Sequence, residues 1–400
     1  MKLLLSLGLF LGFTIADLAG SSIQPNYAGY RVLRMNYSAE VRSIIKDQSL
    51  ATWEASEHTG EIDVVIPPGM TAFDDLTNHV MRHNLGRSIA REAKFNEYGT
   101  TMPNLRDFLS DLAATYLKNA EVITLGKTVK GGEITGIHIY GASGKGRPAV
   151  ILFGTIHARE WISTMVPEHH AFSLLTKYDT DEEIKSWVDK YDFYIFPVTN
   201  PDGFTFTQNG NRLWRKNRQV NKGQTCLGRD LNRNWDISWN SADGASSKAC
   251  TDTYKGDGAS DAPETKILAL FTTKVGRSPG GLQLFIDYHS YAQMVMTPYG
   301  YSCTKLAANN DILQSLADGA VNAIRSVSGT VYAGGSICKK YGKVIGDTVD
   351  YVHDVSKSKH TFTIELRDKG RYGFVLPPDQ ILPTATEDFA GLKYLLRTMR

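Results

Sequence analysis

The feature that most constrains the fold is a short apolar segment, residues 149–153, which is followed by Gly154 and then by polar side chains. An uninterrupted apolar run of this length, entered through a Gly-Arg-Pro turn, is typical of a strand buried on both faces of a parallel sheet. Open α/β sheets bind their ligands beyond the carboxyl ends of such strands, where His157 and Glu160 lie. An imidazole and a carboxylate three residues apart can bind one divalent cation. The pair alone is a weak signal, because it also occurs in ordinary surface turns.

Helical and extended patterns alternate along the chain after residue 104, without internal repeats. The sequence predicts strands at 134–140, 149–153, 191–198, 282–288 and 361–368, and helices at 105–116, 163–177, 182–190, 264–275, 306–327 and 385–399. Residues 200–203, Asn-Pro-Asp-Gly, are predicted to form a turn. This alternation predicts an α/β fold with a mixed, mostly parallel sheet flanked by helices.

A smaller unit is predicted before residue 100. Residues 30–36 are extended, Ser38 begins an amphipathic helix, residues 61–66 alternate as a half-buried strand, and residues 71–83 have a helical pattern. This order suits a small ferredoxin-like α/β sandwich, although a plain N-terminal binding module would show the same pattern. A chain of 400 residues exceeds the usual size of one hydrophobic core, which agrees with a large domain and a small one.

The first residues predict secretion. Residues 1–16 have a basic start, an apolar run and a small residue at the end, the pattern of a signal peptide cleaved after Ala16 or Ala19. A membrane anchor is the weaker alternative, since no other apolar stretch is long enough to span a bilayer. We therefore expect an extracellular protein, with a vacuolar location as the alternative.

Cysteine and charge content agree with a secreted globular protein. Four cysteines permit three pairings, and proximity in sequence favours Cys226 with Cys250 and Cys303 with Cys338. Asn36 begins the one glycosylation sequon. Basic and acidic residues, 44 and 42, nearly balance, and no basic stripe is present, which argues against a nucleic-acid partner.

The letters around the first two candidate ligands are specific. His-Ala-Arg-Glu-Trp-Ile at positions 157–162 resembles the zinc signature of the A/B-type metallocarboxypeptidases. His289 follows a second apolar strand, within His-Ser-Tyr, and matches the third zinc ligand of that family. Together with His157 and Glu160 it would leave one position of a tetrahedral zinc open, as in carboxypeptidase A, the standard example of this ligand set. The resemblance therefore implies one catalytic Zn²⁺ per chain.

Two arginine-containing motifs resemble the substrate clamp of the same family. Arg215 matches the residue that polarises the scissile carbonyl, and Asn232 and Arg233 match those that hold the free C-terminal carboxylate. Arg159, inside the zinc signature, matches a further substrate-binding residue. Taken singly, these residues could equally be solvated. Guanidinium groups nevertheless suit the proposed role, because their planar fork pairs with a carboxylate through two hydrogen bonds.

Glu365 is an acid in an otherwise alternating strand, followed by Lys-Gly-Arg-Tyr-Gly-Phe at positions 369–374. A single acid in a strand usually faces water at an edge. Here the motif resembles the last strand of the family, whose glutamate is the general base that takes a proton from the attacking water.

Substrate preference depends on positions 341–349. The capping tyrosine of the family aligns with Gly342, while Tyr341 lies one residue earlier and could replace it. Val349 occupies the position of the acid in basic-specific members, which implies an A-type preference for apolar and aromatic C-terminal residues. Asp347 does not match the family pattern. The nearby lysines favour a carboxylate that faces solvent and changes the preference little, whereas a carboxylate facing the pocket would give B-type preference for lysine or arginine. Positions matching the pocket lining are Met296, Gly300, Ile337, Val344, Thr348, Val349 and Thr363.

The resemblance also implies how the protein is made. Residues 17–100 correspond to an inhibitory pro-segment and residues 101–400 to the catalytic domain, with Arg87, Arg91 and Lys94 as cleavage points for an activating endoprotease. The stretch between about 94 and 104 is shorter than in the family. We expect a monomeric, secreted zinc carboxypeptidase acting on peptide and protein C-termini. The alternatives are B-type specificity and a catalytically silent peptide-binding relative.

Overall fold

The computed structural model describes residues 30–48, 50, 52–56, 61–70, 77–82 and 102–399. The predicted signal peptide, the candidate cleavage points Arg87, Arg91 and Lys94, and the predicted domain boundary near residue 100 lie outside the described residues. None of the helices within these ranges is long and apolar enough to cross a bilayer.

The N-terminal unit is a four-stranded antiparallel sheet with one described helix. Its strands are β1 (Arg31–Asn36), β2 (Thr52–Ser56), β3 (Glu61–Ile66) and β4 (Thr77–Arg82), and its helix is α1 (Ala39–Asp47). The order is β2-β3-β1-β4, so β3 lies between the two strands that α1 connects, as in a ferredoxin-like sandwich. Its core contains Leu33, Met35, Val41, Ile62, Val64 and Ile66.

One predicted element of this unit is wrong. The helical pattern assigned to residues 71–83 covers strand β4, which pairs with β1 from Val32–Arg82 to Met35–Thr77. Pairing with the central strand β1 satisfies the hydrogen bonds of the backbone groups in both strands, and this outweighs a weak helical periodicity. In contrast, α1 begins as expected, since the Ser38 side chain accepts a hydrogen bond from the Val41 amide at 3.2 Å.

The larger unit is built on an eight-stranded mixed sheet, which confirms the predicted fold class. Its strands are β5 (Ala120–Lys127), β6 (Glu133–Ile139), β7 (Ala149–Gly154), β8 (Asp192–Phe196), β9 (Leu282–Ser290), β10 (Met294–Thr297), β11 (Ala333–Ser336) and β12 (His360–Leu366). The order is β11-β10-β12-β9-β7-β8-β6-β5. The four central strands β12, β9, β7 and β8 are parallel, and every residue of β7 and β9 is buried.

Helices cover both faces of this sheet. They are α2 (Met102–Thr115), α3 (Ile162–Thr176), α4 (Glu182–Lys190), α5 (Pro201–Asn209), α6 (Pro263–Gly276), α7 (Asn310–Ser328), α8 (Ile337–Tyr341), α9 (Thr348–Asp354) and α10 (Ile381–Thr398). Side chains alternate between two cores along β7, with Val150 and Leu152 in one and Ile151 and Phe153 in the other. This alternation explains why the whole strand is apolar.

Both predicted disulfides are present, Cys226–Cys250 and Cys303–Cys338. The second joins the loop after β10 to α8. Each closes a loop of a few tens of residues, which on a chain-entropy basis stabilises the fold by about 3–4 kcal/mol.

Candidate metal centre and substrate cleft

The adjacent carboxyl ends of β7, β9 and β12 place the predicted residues together. In the sheet Gly154 pairs with Tyr288, and Glu365 pairs with His289. One cavity of about 200 Å³ opens at this edge. It is lined by all ten site residues predicted from the sequence: His157, Arg159, Glu160, Arg215, Asn232, Arg233, His289, Tyr341, Val349 and Glu365.

Three of these residues bring their ligand atoms to one point. His157 Nδ1 lies 2.8 Å from Glu160 Oε1 and 3.1 Å from His289 Nδ1, and the latter is 3.0 Å from Glu160 Oε2. Ligand atoms around a tetrahedral zinc are about 3.3–3.5 Å apart, given metal–ligand distances of about 2.0–2.2 Å, so these atoms need to separate by only a few tenths of an ångström to hold one. Two unprotonated imidazole nitrogens this close repel each other unless a proton or a cation lies between them. The three buried side chains therefore fit a zinc ion, as the sequence predicted.

Two aspartates lie beside the far sides of the imidazole rings. Asp230 Oδ1 forms a hydrogen bond with His157 Nε2 at 3.1 Å, whereas Asp287 Oδ2 lies 3.1 Å from His289 Nε2 at ion-pair distance but without hydrogen-bond geometry. A carboxylate at the second ring nitrogen fixes the orientation and tautomer of a metal-binding histidine. Sequence analysis assigned neither aspartate a role. The signal for Asp287 was available, because residues two apart on a strand share a face and it lies two before His289.

The carboxylates at the centre differ in their electrostatics. Burial opposes ionisation of Glu160, but the charges of His157 and His289 outweigh it and hold the pKa of Glu160 well below its usual range. Burial raises the pKa of Glu365 to about 7, with the Glu160 charge adding to the effect and those of His289 and Arg215 opposing it. Glu365 Oε2 is buried and has no hydrogen-bond partner among the described residues. This oxygen is therefore available to a ligand in the cavity.

Asp230 also connects the metal ligands to an arginine. Its Oδ2 accepts hydrogen bonds from Arg215 Nε at 3.1 Å and Nη2 at 2.9 Å. Its Oδ1 accepts a hydrogen bond from the backbone amide of Asn232 at 2.9 Å and also contacts His157 Nε2. One buried carboxylate thus orients a candidate zinc ligand and a candidate substrate-binding arginine together.

The two candidate terminus-binding residues are held in place by hydrogen bonds, and one of them keeps a buried donor without a partner among the described residues. Asn232 Oδ1 accepts hydrogen bonds from the Thr348 amide at 2.8 Å and hydroxyl at 2.9 Å, which turns the amide nitrogen of Asn232 towards His289. Arg233 Nη1 donates to the Asn232 carbonyl at 2.7 Å, whereas its buried Nε has no partner among the described residues. A buried donor without a partner costs free energy unless a ligand satisfies it.

The deep end of the cavity is mostly apolar. Of the seven positions predicted to line it, five do so: Met296, Ile337, Val344, Val349 and Thr363. Thr348 and Gly300 are not in the cavity wall. The Thr348 hydroxyl donates a hydrogen bond to Asn232 Oδ1. Gly300 packs so closely against Asp347 that a Cβ atom added to it would lie 3.0 Å from Asp347 Oδ2. The apolar lining agrees with the sequence prediction.

The expectation that Asp347 faces solvent is wrong. Asp347 lines the cavity and is 2% exposed. Its Oδ1 accepts a hydrogen bond from the Asp350 backbone amide at 2.9 Å and so caps the start of α9. Its Oδ2 is buried without a hydrogen-bond partner among the described residues. Burial raises the pKa of Asp347, and burial together with the neighbouring Asp347 charge raises the pKa of Asp350. The lysines adjacent in sequence do not compensate this carboxylate, because the start of α9 turns it inward.

Tyr341 is the last residue of α8 and lies in the cavity wall, where its hydroxyl donates to the Tyr291 carbonyl at 3.4 Å. Gly342 follows with φ of +91°, in the region that favours glycine. A tyrosine in that position would be strained, which explains why the aromatic side chain occurs one residue earlier. Thr52, from strand β2 of the N-terminal unit, also lines the cavity.

Comparison with known proteins agrees with this geometry. The family model described as zinc carboxypeptidase matches residues 105–391. The chain belongs to the zinc carboxypeptidase family. It is 40% identical to metallocarboxypeptidase A of Trichophyton equinum, over 100% of this chain and 99% of the relative. It is 33% identical to carboxypeptidase A4 of Mus musculus, again over 100% and 99% of the two chains.

Solved structures give the same result for the fold. The crystal structure of thrombin activatable fibrinolysis inhibitor is 25% identical and matches with a TM-score of 0.84 over 92% of this chain and 98% of that one. The carboxypeptidase A of Helicoverpa armigera matches with a TM-score of 0.79 at 24% identity, over 93% and 97% of the two chains. The family model, the curated relatives and the three ligand residues together identify the protein as a metallocarboxypeptidase, a hydrolase whose cofactor is zinc.

Proposed function

We propose that this zinc carboxypeptidase releases apolar and aromatic residues from peptide C-termini and that Asp347 allows it to release lysine and arginine as well. The observation that carries the proposal is the buried, unpartnered Asp347 Oδ2 in an otherwise apolar wall. Apolar side chains are accommodated by Met296, Ile337 and Val349, in agreement with relatives named metallocarboxypeptidase A.

Three charged or polar side chains bind the C-terminal end of the substrate. Arg233 and Asn232 bind the free C-terminal carboxylate, and Arg215 binds the carbonyl of the last peptide bond. The free Nε of Arg233 and the turned amide of Asn232 support these roles. Tyr341 closes the pocket beside them. An enzyme that requires a free terminus needs such a set of donors, and an endopeptidase does not.

Hydrolysis uses the residues at the carboxyl ends of the central strands. His157, Glu160 and His289 would hold the zinc ion, which when bound would supply a Lewis acid for water and for the peptide carbonyl. Glu365 accepts the proton of the attacking water on Oε2 and returns it to the leaving amine. Burial raises the pKa of Glu365, which favours a carboxyl group that can both accept and return a proton.

The carboxylate in the pocket decides the preference for basic residues. A buried carboxylate is costly unless it is paired, and a lysine or arginine side chain supplies the missing charge. Without such a substrate, burial raises the pKa of Asp347 and favours its neutral form, so the pocket also accepts apolar side chains.

The test compares peptides that end in Phe, Leu, Lys or Arg. Asp347→Asn keeps a good helix cap. We expect it to lower kcat/KM for Lys and Arg by about ten-fold or more, the loss of one charge-assisted hydrogen bond, and to change Phe and Leu by no more than about two-fold. Asp354→Asn, on the same helix but outside the cavity, is the control. If the unmutated protein releases Phe but neither Lys nor Arg, Asp347 does not serve as an acceptor. If it releases nothing, the silent peptide-binding alternative applies.

Secretion and activation complete the proposal. Residues 1–16 direct secretion, residues 17–100 form the inhibitory pro-segment, and an endoprotease cutting after Arg87, Arg91 or Lys94 activates the enzyme. The position of Thr52 in the cavity wall supports a pro-segment that restricts access to the site. Limited trypsin treatment should therefore raise turnover. Equal turnover before and after removal of the N-terminal unit would contradict the inhibitory role.

A further inference from the structure

The glycosylation sequon at Asn36 lies in the turn between β1 and α1 of the N-terminal unit. Asn36 is the last residue of β1 and Ser38 is the cap of α1, and both residues are exposed. Tyr37, between them, is half-buried and packs against the small core. An Asn-x-Ser triplet accepts an N-linked glycan in secreted proteins where it lies on the surface. This triplet meets the structural condition.

The hydrogen bonds that hold this turn do not use the acceptor amide. The Ser38 backbone amide donates to the Asn36 carbonyl at 2.8 Å, and Ser38 Oγ accepts from the Val41 amide at 3.2 Å. Met35 contributes to the core, and successive side chains of a strand point to opposite faces. The Asn36 side chain is therefore directed away from the core, where a bulky group can be attached without disturbing the packing.

The large unit contains no second acceptor of this kind. Asn36 is the only asparagine of the 400-residue chain that is followed two positions later by serine or threonine. Several asparagines of the large unit are instead buried, namely Asn200, Asn211, Asn217, Asn221 and Asn234. The sequon is thus confined to the segment that the proposed activation removes.

The attachment point also lies apart from the contact with the substrate cleft. Asn36, Glu61 and Ser56 are neighbours across three strands at one end of the small sheet. Thr52, which lines the cavity, is level with Leu33 through their common partner in β3. Three residues along a strand and two strand spacings across it correspond to about 14 Å, given about 3.4 Å per residue and about 4.8 Å between strands.

We infer that Asn36 carries an N-linked glycan, and that the precursor is a glycoprotein whereas the activated enzyme has no N-linked glycan. Glycosylation of this kind requires the secretion proposed above, because the donor is a lipid-linked oligosaccharide diphosphate of the secretory pathway. A bond forms between Asn36 Nδ2 and the anomeric carbon of the first sugar. The bond from that carbon to the diphosphate oxygen breaks, the lipid diphosphate leaves with the electron pair, and the amide loses one proton to solvent.

The experiment isolates the full-length precursor from the medium of a eukaryotic secretory host. Intact-mass spectrometry before and after peptide N-glycosidase treatment should show the loss of one glycan and the conversion of Asn36 to aspartate. After trypsin treatment, the fragment that contains residue 36 should bind a mannose-specific lectin, and the activated enzyme should not. An unmodified secreted precursor, or an N-linked glycan on the large fragment, overturns the inference.

Two variants of Ser38 separate the sequon from the helix cap. Ser38→Asp keeps a side chain that caps α1 but lacks the hydroxyl group of the triplet, so its secreted precursor should carry no glycan. Ser38→Thr keeps both the cap and the triplet, and it should be glycosylated like the unmutated protein. A glycan that persists in Ser38→Asp would show a different attachment site and would contradict the assignment to Asn36.

Turnover distinguishes this inference from the proposed function. Removal of the glycan from the folded precursor should leave its low turnover of peptides ending in Phe unchanged, since Asn36 lies apart from the contact at Thr52. A rise in turnover after deglycosylation alone would contradict this placement. Absence of the precursor from the medium would overturn the proposed secretion and this inference together. A glycosylated precursor without turnover after trypsin treatment would count only against the proposed activity.

Discussion

At the scale of single residues, Asp230 shows how the metal centre and the substrate cleft are coupled. It contacts His157 with one oxygen and Arg215 with the other, and its pKa is held well below the usual value, since the charges of Arg215 and His157 outweigh the effect of burial. Its carboxylate thus stays ionised over the physiological range. The motif that contains Asp230 was recognised in the sequence, but a role that depends on two distant partners is visible only in three dimensions.

Glu365→Gln tests the general base. An amide has nearly the size and shape of a carboxylate but cannot accept the proton of the attacking water, so we expect kcat to fall by about 10²- to 10⁴-fold. Zinc content, measured by atomic absorption, should remain at one ion per chain, because Glu365 is not among the three ligand residues. Normal turnover by this variant would place the base elsewhere.

Arg233→Ala tests whether Arg233 binds the C-terminal carboxylate of the substrate. The change removes a charge-assisted hydrogen bond to the substrate carboxylate, worth about 1.5–3 kcal/mol, and should raise KM by about ten-fold or more. Arg229→Ala is not a suitable control because its guanidinium holds Asp257 and Asp261. Arg371→Ala, an exposed arginine outside the cavity, is the control. An unchanged KM for free-acid peptides would contradict the assigned role.

All ten candidate site residues could be selected from the sequence because each lies in a local motif, at a strand end or in a loop, that resembles one family, and they line one cavity in the structure. Asp347 was misjudged for the opposite reason. Nearby Lys339, Lys340 and Lys343 suggested a solvated partner, but side chains adjacent in sequence need not face the same way. The buried start of α9 determines the direction of Asp347.

At the scale of elements, the helix–strand alternation of the large unit was largely predictable because buried strands are apolar and short. The Asn200-Pro-Asp-Gly203 segment was not, since its letters suit both a turn and the start of a helix. In the structure the Asn200 side chain accepts a hydrogen bond from the Gly203 amide at 3.1 Å and begins α5. The short strands β10 and β11 carry too few residues to show a period.

Helix α3 carries a buried acid whose charge makes stability depend on pH. Glu168 is 8% exposed, and burial raises its pKa from 4.5 to about 8. Below pH 4.5 the group is protonated in both the folded and the unfolded chain. Between pH 4.5 and 8 only the unfolded chain ionises, so the free energy of unfolding falls as pH rises, by at most about 1.4 kcal/mol per pH unit.

Glu168→Gln should remove this loss. We expect the variant and the unmutated protein to unfold alike near pH 4.5, with the variant gaining in relative stability up to pH 8. Urea unfolding followed by tryptophan fluorescence at several pH values measures the difference. Glu182→Gln, an exposed acid at the start of α4, controls for loss of a surface charge. A stability difference that does not vary with pH would contradict the buried-acid explanation.

At the scale of the whole molecule, the parallel centre of the large sheet is what makes the site possible. Its strands bring residues that are distant in sequence to one edge, and the N-terminal unit contributes Thr52 to the same cavity. Periodicity in the sequence predicted two units and their fold classes. Contact between them was implied only by the resemblance to an inhibitory pro-segment and not by periodicity, because such contact depends on surfaces formed only after each sheet is complete.

The most direct measurement compares the rates at which two peptides are cleaved, one ending in Phe with a free carboxylate and the other in amidated Phe. Each rate is measured before and after a chelator removes the zinc. The trypsin-treated protein should release Phe alone from the free acid, cleave the amide far more slowly, and lose activity with the chelator until zinc is restored. Equal cleavage of both peptides, cleavage at internal bonds, or full activity without zinc would contradict a zinc carboxypeptidase that reads the chain terminus through Arg233 and Asn232.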